Sequence, residues 1–191
     1  MAMKISKILA IYGKDTDKIW HHRYGKAYDE LFSRFDRKAP LNIMEVGTQK
    51  GATLLAWKEY FPNANVYGVD IVDVVPKKYR KDTVTRLITD IKKLDTDISF
   101  DIIIDDGSHY LADMIYVVAN YFVPMRDKGL MLLEDVRFPG LTLEVINNLI
   151  IDSDIGFPGN KTKANFNIRY YDCRRKGAES SFLIAMIKEA K

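Results

Sequence analysis

Cysteine is almost absent from this sequence, since Cys173 is the only one in 191 residues. An internal disulfide is therefore excluded, and the composition fits a reducing compartment. Long apolar runs are missing as well, and residues 1–12 are too short and too mixed in character for a signal peptide or a membrane span. Together these absences predict a cytoplasmic protein with no membrane partner.

The sequence also has little excess of either sign of charge, because 29 basic residues nearly balance 26 acidic ones and leave a net charge of +3. Basic residues cluster at 77–81 and 174–176, and a solvated surface explains them better than a nucleic-acid patch. The sequence therefore predicts no nucleic-acid partner. A P-loop lysine motif is absent too, which disfavours an ATPase.

Strand-like and helix-like segments alternate along the chain. Strands are predicted at 41–47, 66–70, 84–88, 100–105, 129–134, 165–171 and 181–187. Helices are predicted at 4–11, 24–35, 51–61, 108–122 (with Ser108 as N-cap) and 141–151, and a loop at 152–164. The alternation predicts a doubly wound, Rossmann-like, mostly parallel α/β sheet with helices on both faces and a C-terminal antiparallel hairpin. We expect one domain, 1–191, with an N-terminal helical arm (1–40) and a core (41–191).

Two of the predicted strands run directly into ionisable residues. One is followed by Asp105, Asp106 and His109, and the next by Glu134 and Asp135. Ligands of open α/β sheets bind at the carboxyl ends of the strands. If these two strands are neighbours, roughly 4.8 Å apart, the five side chains converge on one small volume.

Polar residues also follow the first three strands, in an order that suits a nucleoside. Gly47 and Gly51 join the first strand to its helix and allow a ligand to approach the backbone. Asp70 ends the second strand, where a ribose diol is commonly held, and Asp90 follows the third, where an adenine amino group fits. Gln49 replaces the middle glycine of a dinucleotide fingerprint, so an ordinary tight strand-to-helix turn is the alternative.

With these motifs in view, the sequence resembles class I S-adenosylmethionine-dependent methyltransferases. The most similar subgroup is that of the macrocin and mycinamicin sugar O-methyltransferases with the related cephalosporin hydroxylases. The resemblance is carried by segments 16–18, 22–24, 45–47, 51–54, 57–64, 67–70, 105–109 and 129–135. Its most specific part is the run Asp105–His109 followed, after the next strand, by Glu134 and Asp135.

The resemblance implies a Mg²⁺ ion held by Asp106, Glu134 and Asp135, with His109 as the general base. Three carboxylates suit a hard divalent cation, and an imidazole can accept a proton from a hydroxyl that the metal acidifies. The alternative for the carboxylates is helix capping and pairing with Arg137 or Arg126. For the histidine it is a hydrogen bond to a carboxylate at a helix start.

The resemblance also places the N-terminal arm over the cofactor, so that His22 and Tyr24 form part of a lid. Packing of an N-terminal helix is the alternative for these two residues, and Ile19 stands where the family often has glycine. The predicted cofactor-binding set is Glu45, Gly47, Thr48, Gly51, Asp70, Ile71, Asp90, Asp105, His22 and Tyr24.

The function predicted from the sequence is a Mg²⁺- and S-adenosylmethionine-dependent O-methyltransferase that acts on a hydroxyl of a sugar or another small polyol or natural product. The alternatives are a cofactor-binding regulatory subunit without turnover and a cephalosporin-hydroxylase-like enzyme, although a two-His, one-carboxylate iron triad is absent. The sequence has neither the added N-terminal domain nor the long insertion of the larger macrolide enzymes. The acceptor is then expected to be small, or another subunit completes the pocket, for example in a homo-oligomer.

Overall fold

Residues 3–151 and 166–190 are described by a computed structural model, and within these ranges seven strands form one sheet. The strands are β1 (Asn42–Val46), β2 (Asn65–Asp70), β3 (Thr85–Ile88), β4 (Ile102–Asp105), β5 (Leu130–Leu133), β6 (Phe166–Asp172) and β7 (Phe182–Lys188). Their order is β3-β2-β1-β4-β5-β7-β6. Strands β1 to β5 are parallel, and β7 is antiparallel to both β5 and β6. The predicted fold class is confirmed.

The helices cover both faces of this sheet. They are α1 (Ile5–Ile11), α2 (Gly25–Phe32), α3 (Ala52–Tyr60), α4 (Leu111–Val117) and α5 (Pro139–Ile151), and a π-helical turn (Val118–Phe122) continues α4. Within the described ranges, no helix combines the length and the apolar character needed to cross a bilayer.

Successive side chains of the central strands point to opposite faces of the sheet and pack in two separate hydrophobic cores. Ile102 and Ile104 of β4 pack in one cluster with α1, α2 and α3, which includes the fully buried Trp57. Ile103 of β4 packs in a second cluster with α4 and with Met131 of β5. Both faces of β4 are therefore covered, which explains its continuous run of isoleucine.

The strand ends that carry the predicted site residues lie at one edge of the sheet. Strand β4 pairs in parallel with β5, so that Asp105 is opposite Leu133, and Glu134 follows directly. The chain reverses its strand order between β1 and β4, and such a switch point is where open α/β sheets bind ligands. The predicted adjacency of β4 and β5 is confirmed.

The predicted start of the fourth helix is wrong. Helix α4 begins at Leu111, with Tyr110 at the cap position, rather than at Ser108. His109 has a left-handed backbone (φ +58), which a helix cannot continue through. Ser108 instead accepts a hydrogen bond from the Tyr110 N–H at 3.3 Å, within the loop. The loop predicted at 152–164 lies outside the described residues.

Candidate active site

A pocket of about 380 Å³ opens at the switch point, between the carboxyl ends of β1, β2, β3 and β4. Of the predicted cofactor-binding residues, five line it: Gly47, Asp70, Ile71, Asp90 and Asp105. Its walls combine apolar side chains such as Val69 and Val117 with carboxylates. A small organic ligand that carries positive charge fits such a lining.

Asp70 organises the loop between β1 and α3. Its Oδ2 accepts hydrogen bonds from the backbone N–H groups of Thr48 and Gln49, each at 2.9 Å. Thr48 itself is buried and does not line the pocket. The carboxylate therefore stabilises the loop that surrounds the pocket and also lies at the pocket wall.

Gly47 is required by the protein itself, whether or not a ligand binds. It has φ +80, and a Cβ atom there would lie 2.1 Å from the carbonyl oxygen of Asp106. The turn after β1 thus packs directly on the turn after β4. Gly51 occupies the cap position of α3 with φ +72, and it does not line the pocket.

Asp105 presents an unusual carboxylate to the pocket. Its Oδ1 accepts the Gly107 N–H at 3.2 Å, but its buried Oδ2 has no hydrogen-bond partner among the described residues. Burial raises the pKa of Asp105 to about 7. Such an oxygen is available to a donor group on a bound ligand.

Asp106, His109 and Asp135 form the candidate metal centre. One ligand atom from each lies within 4.8 Å of the other two, which is the spacing that a single ion can bridge. Both His109 and Asp135 have left-handed backbones, with φ +58 and +53, and such strained residues cluster at functional sites. These three residues, converging from the ends of β4 and β5, fit a divalent cation.

Glu134 lies beside this cluster but is held from both sides. Its Oε2 accepts a hydrogen bond from the Lys18 ammonium at 2.8 Å, and its Oε1 accepts one from the Tyr28 hydroxyl. Burial raises the pKa of Glu134 to about 8, although Lys18 acts to lower it. The assignment of Glu134 as a metal ligand stays a prediction.

Lys18 is the site residue that sequence reasoning missed. Its side chain is fully buried, and its Nζ lies 2.8 Å from Asp106 Oδ2, 2.8 Å from Glu134 Oε2 and 3.5 Å from Glu45 Oε1. Burial would lower the pKa of Lys18, but Asp106 and Glu134 outweigh it and raise that pKa well above its usual value. An excess of carboxylates in the predicted cluster was the available signal, since such a cluster needs a cation.

Glu45 faces away from the pocket, into the core beneath the sheet. Its Oε2 accepts hydrogen bonds from Thr53 Oγ1 at 2.7 Å and Trp57 Nε1 at 3.0 Å. Burial raises the pKa of Glu45 to about 7. In this structure Glu45 anchors α3 and Lys18 and has no surface on the pocket.

His22 and Tyr24 contact the metal side of the site and do not line the pocket. The Tyr24 hydroxyl donates a hydrogen bond to Asp135 Oδ1 at 2.7 Å, and His22 Nδ1 lies 3.0 Å from the same oxygen. Burial acts to lower the pKa of His22, but hydrogen bonds to Asp135 and Asp17 outweigh it and raise the pKa to about 9. Their role in a cofactor lid stays a prediction, as does the division into arm and core.

No family model matches the chain, but curated relatives do. The chain is 32% identical over 136 residues to the 8-demethyl-8-alpha-L-rhamnosyl tetracenomycin-C 2'-O-methyltransferase of Streptomyces olivaceus. This match covers 64% of the present chain and 35% of the Streptomyces protein. The chain is also 32% identical over 130 residues to the mycinamicin VI 2''-O-methyltransferase of Micromonospora griseorubida, covering 60% and 32%. The chain therefore spans about a third of the length of these relatives.

Among solved structures, the MycE methyltransferase of mycinamycin biosynthesis, in complex with Mg and SAH, superposes with a TM-score of 0.74. The sequences are 22% identical, and the match covers 99% of this chain and 55% of MycE. The plantazolicin methyltransferase BpumL gives 0.59 at 14% identity, covering 97% and 89%.

The chain has the class I methyltransferase fold. The resemblance read from the sequence is thereby supported by both comparisons, and the O-methyltransferase relatives match the subgroup that the Asp105–His109 run indicated.

Proposed function

We propose that this chain carries the catalytic centre of a Mg²⁺- and S-adenosylmethionine-dependent O-methyltransferase that acts on a hydroxyl of a sugar or sugar-bearing natural product. The observation that carries the proposal is the double position of Asp106. It lines the pocket at the switch point and also belongs to the Asp106, His109 and Asp135 cluster. A methyl donor in the pocket and a hydroxyl acceptor at the cluster would therefore be adjacent, and such positioning supplies much of the catalysis in group transfer.

The cofactor is assigned to the pocket by the chemistry of its walls. Asp70 lies where a ribose diol needs an acceptor, and Asp90 lies further along the same edge toward β3. The buried Oδ2 of Asp105, to which no described residue donates a hydrogen bond, suits the ammonium group of the cofactor's methionine part, because such an oxygen gains most from a charged donor. The positively charged sulfonium is attracted by the same carboxylates.

The metal is assigned to the carboxylates at the ends of β4 and β5. Asp106 and Asp135 would hold Mg²⁺ there, and the ion, when bound, makes an acceptor hydroxyl more acidic. His109 accepts the hydroxyl proton at Nε2, the nitrogen that lies 4.0 Å from Asp106 Oδ1. His22 and Tyr24 fix Asp135 from behind through their hydrogen bonds.

The acceptor is assigned by its class only. The curated relatives are named as methyltransferases of sugar hydroxyls on tetracenomycin, mycinamicin and oleandolide compounds. A sugar hydroxyl is therefore the proposed acceptor group, and the proposed location of the enzyme is the cytoplasm. Either the acceptor is small enough for the pocket of this chain, or a second subunit completes the pocket.

The test is turnover of S-adenosylmethionine labelled in its methyl group, against a panel of free deoxysugars and glycosylated natural products, with Mg²⁺ and with EDTA. We expect Mg²⁺-dependent transfer of label to at least one acceptor. Binding of the cofactor with no transfer to any acceptor would favour the alternative of a regulatory subunit. Absence of cofactor binding would exclude the methyltransferase proposal.

A further inference from the structure

We propose that Tyr121 is a positioning residue for the adenine base of the cofactor. The π-helical turn after α4 places its hydroxyl on the loop after β3 (residues 90–94), and this contact holds the Asp90 carboxylate where it accepts a hydrogen bond from the adenine amino group. The inference rests on the proposed function and deepens it. It gives a role to a residue that does not line the pocket and that the sequence did not indicate.

The loop after β3 is bound through its backbone carbonyls to α4 and to the π-helical turn. The Tyr121 hydroxyl donates to the carbonyl oxygens of Ile91 at 3.0 Å and of Leu94 at 3.2 Å, which share its single proton. The Tyr116 hydroxyl donates to the carbonyl oxygen of Lys92 at 3.2 Å. Tyr121 is 8% exposed, so water cannot easily replace its contact with Ile91. Two tyrosines therefore hold three carbonyls of one short loop.

The π-helical turn explains how both tyrosines reach the same loop. Tyr116 and Tyr121 are five residues apart, and in a regular α-helix such residues lie about 140° apart around the axis. The turn Val118–Phe122 closes hydrogen bonds from i to i+5 instead of i to i+4, so the fifth residue takes the place of the fourth on the helix face. The extra residue thus aligns Tyr121 with Tyr116. Such turns are frequent at functional sites.

The loop held by the tyrosines forms one wall of the pocket. Asp90, Ile91 and Lys92 line the pocket, as does Val117, the last residue of α4. Asp90 Oδ1 accepts the Lys92 N–H at 2.9 Å, whereas no described residue donates a hydrogen bond to Asp90 Oδ2. That second oxygen is available to the adenine amino group. Tyr121 itself does not line the pocket, so it acts on the base through the loop.

The loop needs support from outside because its own structure is short. Asp90 is followed by a 3₁₀ turn of three residues, Ile91–Lys93, and the hydrogen bonds of such turns have poor geometry. A binding group must be held to within about 0.5 Å of its productive position. Loss of the Tyr121 hydroxyl therefore frees Asp90 to move, while the Tyr121 ring remains packed in the core with Ile103.

The test is calorimetric titration with two ligands, S-adenosylhomocysteine and its deamino analogue, in which hydrogen replaces the amino group of adenine. We expect the wild type to bind S-adenosylhomocysteine at least about tenfold more tightly, because the analogue leaves Asp90 without a donor. In Tyr121→Phe we expect the affinity for S-adenosylhomocysteine to fall by about tenfold and that for the analogue by less than about twofold. The preference for the amino group is then largely lost.

Tyr67→Phe is the matched control. Tyr67 is a partly buried tyrosine of the same hydrophobic cluster, and its hydroxyl donates to no described residue. We expect both affinities to be unchanged in this variant. Thermal unfolding without ligand shows whether each variant is folded.

Tyr116→Phe supplies a second variant that does not disturb the core. Its hydroxyl lies at the surface, where water replaces part of the lost contact with the loop. We expect the preference for S-adenosylhomocysteine over the analogue to fall by about two- to threefold. An unchanged preference in both Tyr116→Phe and Tyr121→Phe would contradict the role of the loop contacts.

A double-mutant cycle with Asp90→Ala shows whether Tyr121 acts through that carboxylate. In the Asp90→Ala background we expect Tyr121→Phe to weaken S-adenosylhomocysteine binding by less than about twofold, because the group that Tyr121 positions is already gone. A full tenfold loss in that background would mean that Tyr121 acts by another route, and the inference would be wrong.

The outcomes also separate this inference from the proposed function. Equal losses of affinity for the two ligands in Tyr121→Phe would show a general structural role and overturn the inference. A wild type that binds both ligands equally would mean that Asp90 does not contact the amino group, while the methyltransferase proposal would stand. A wild type that binds neither ligand would overturn the proposed function, and the inference with it.

Discussion

The hydroxyl of Tyr24 and the residue Asp135 share two hydrogen bonds. Tyr24 donates one to the carboxylate at 2.7 Å and accepts another from the Asp135 backbone N–H at 3.2 Å. Asp135 has a left-handed backbone, which is unfavourable for a residue other than glycine, and this pair of contacts stabilises it. The N-terminal segment before α2 is therefore part of the site at the end of β5.

We predict that Tyr24→Phe destabilises the protein by about 2 kcal/mol, because Asp135 loses a charge-assisted hydrogen bond in a buried setting. For a chain of this size the expected fall in Tm is roughly 4–8 °C. Differential scanning calorimetry measures it, with Tyr170→Phe as the control at an exposed tyrosine. Equal Tm values for Tyr24→Phe and the wild type would contradict this role of Tyr24.

A pH dependence follows from the position of His22. Burial opposes its charged form, but Asp135 and Asp17 outweigh burial and raise its pKa from 6.5 to about 9. Because the folded-state pKa is raised, the stabilisation is fully present below pH 6.5 and is lost as the pH rises through about 9. The measured quantity is the difference in unfolding free energy between the wild type and His22→Gln. We predict that this difference is about 3 kcal/mol larger at pH 6 than at pH 9.5.

The measurement is urea denaturation of the metal-free protein at the two pH values. His21→Gln serves as the control, since His21 is exposed in the same segment. A difference between wild type and His22→Gln that is constant with pH would mean that His22 is neutral in the folded protein.

The adjacency of β4 and β5 could be predicted from the sequence because the local residue pattern of each strand indicates it. Each strand is a continuous apolar run that ends abruptly in acids, and parallel strands place such ends together. The left-handed backbone of His109 was not accessible, since a polar stretch before an amphipathic helix ordinarily predicts an N-cap. The start of α4 was therefore placed three residues too early.

The excess of carboxylates signals that a cation is needed, but that Lys18 supplies it was inaccessible for a different reason. Its partners Asp106 and Glu134 are 88 and 116 residues away in the chain, and no periodicity connects them. Burial of a lysine is also rare without ion pairing, so composition favours an exposed position. Only the packing of the N-terminal segment across the sheet edge brings the ammonium to the carboxylates.

Gly47 allows a prediction with a closely matched control. Gly47 and Gly177 have nearly equal positive φ values, +80 and +79, but an added Cβ at Gly47 meets Asp106 at 2.1 Å whereas at Gly177 it meets nothing within 4 Å. Alanine at Gly177 costs only the backbone strain, about 1–2 kcal/mol. We predict that Gly47→Ala lowers the free energy of unfolding by about 2 kcal/mol more than Gly177→Ala does, because the turns after β1 and β4 must separate. Similar losses of stability in both variants, measured by urea denaturation, would show that the contact between the turns is easily adjusted.

Asp70 tests the assignment of the pocket to the cofactor. S-adenosylhomocysteine at a hundredfold excess over its Kd is expected to stabilise the wild type by about 2.7 kcal/mol. We predict that Asp70→Ala abolishes this stabilisation, since the ribose diol loses its acceptor and the N–H groups of Thr48 and Gln49 lose theirs. Asp73→Ala is the control, because Asp73 is a nearby carboxylate that pairs with Arg80 and does not line the pocket. A thermal shift with ligand that is unchanged in Asp70→Ala would place the cofactor elsewhere.

His109 tests the proton-transfer step, and here the roles of base and metal ligand must be separated. Asparagine is the suitable replacement, because it tolerates the left-handed backbone at φ +58 and cannot act as a base. We predict that His109→Asn lowers kcat by about 10²- to 10⁴-fold at saturating Mg²⁺, while the affinity for S-adenosylhomocysteine is unchanged. If kcat of His109→Asn recovers when Mg²⁺ is raised well above the concentration that saturates the wild type, the histidine binds the ion and another group accepts the proton, because a missing base is not replaced by more metal.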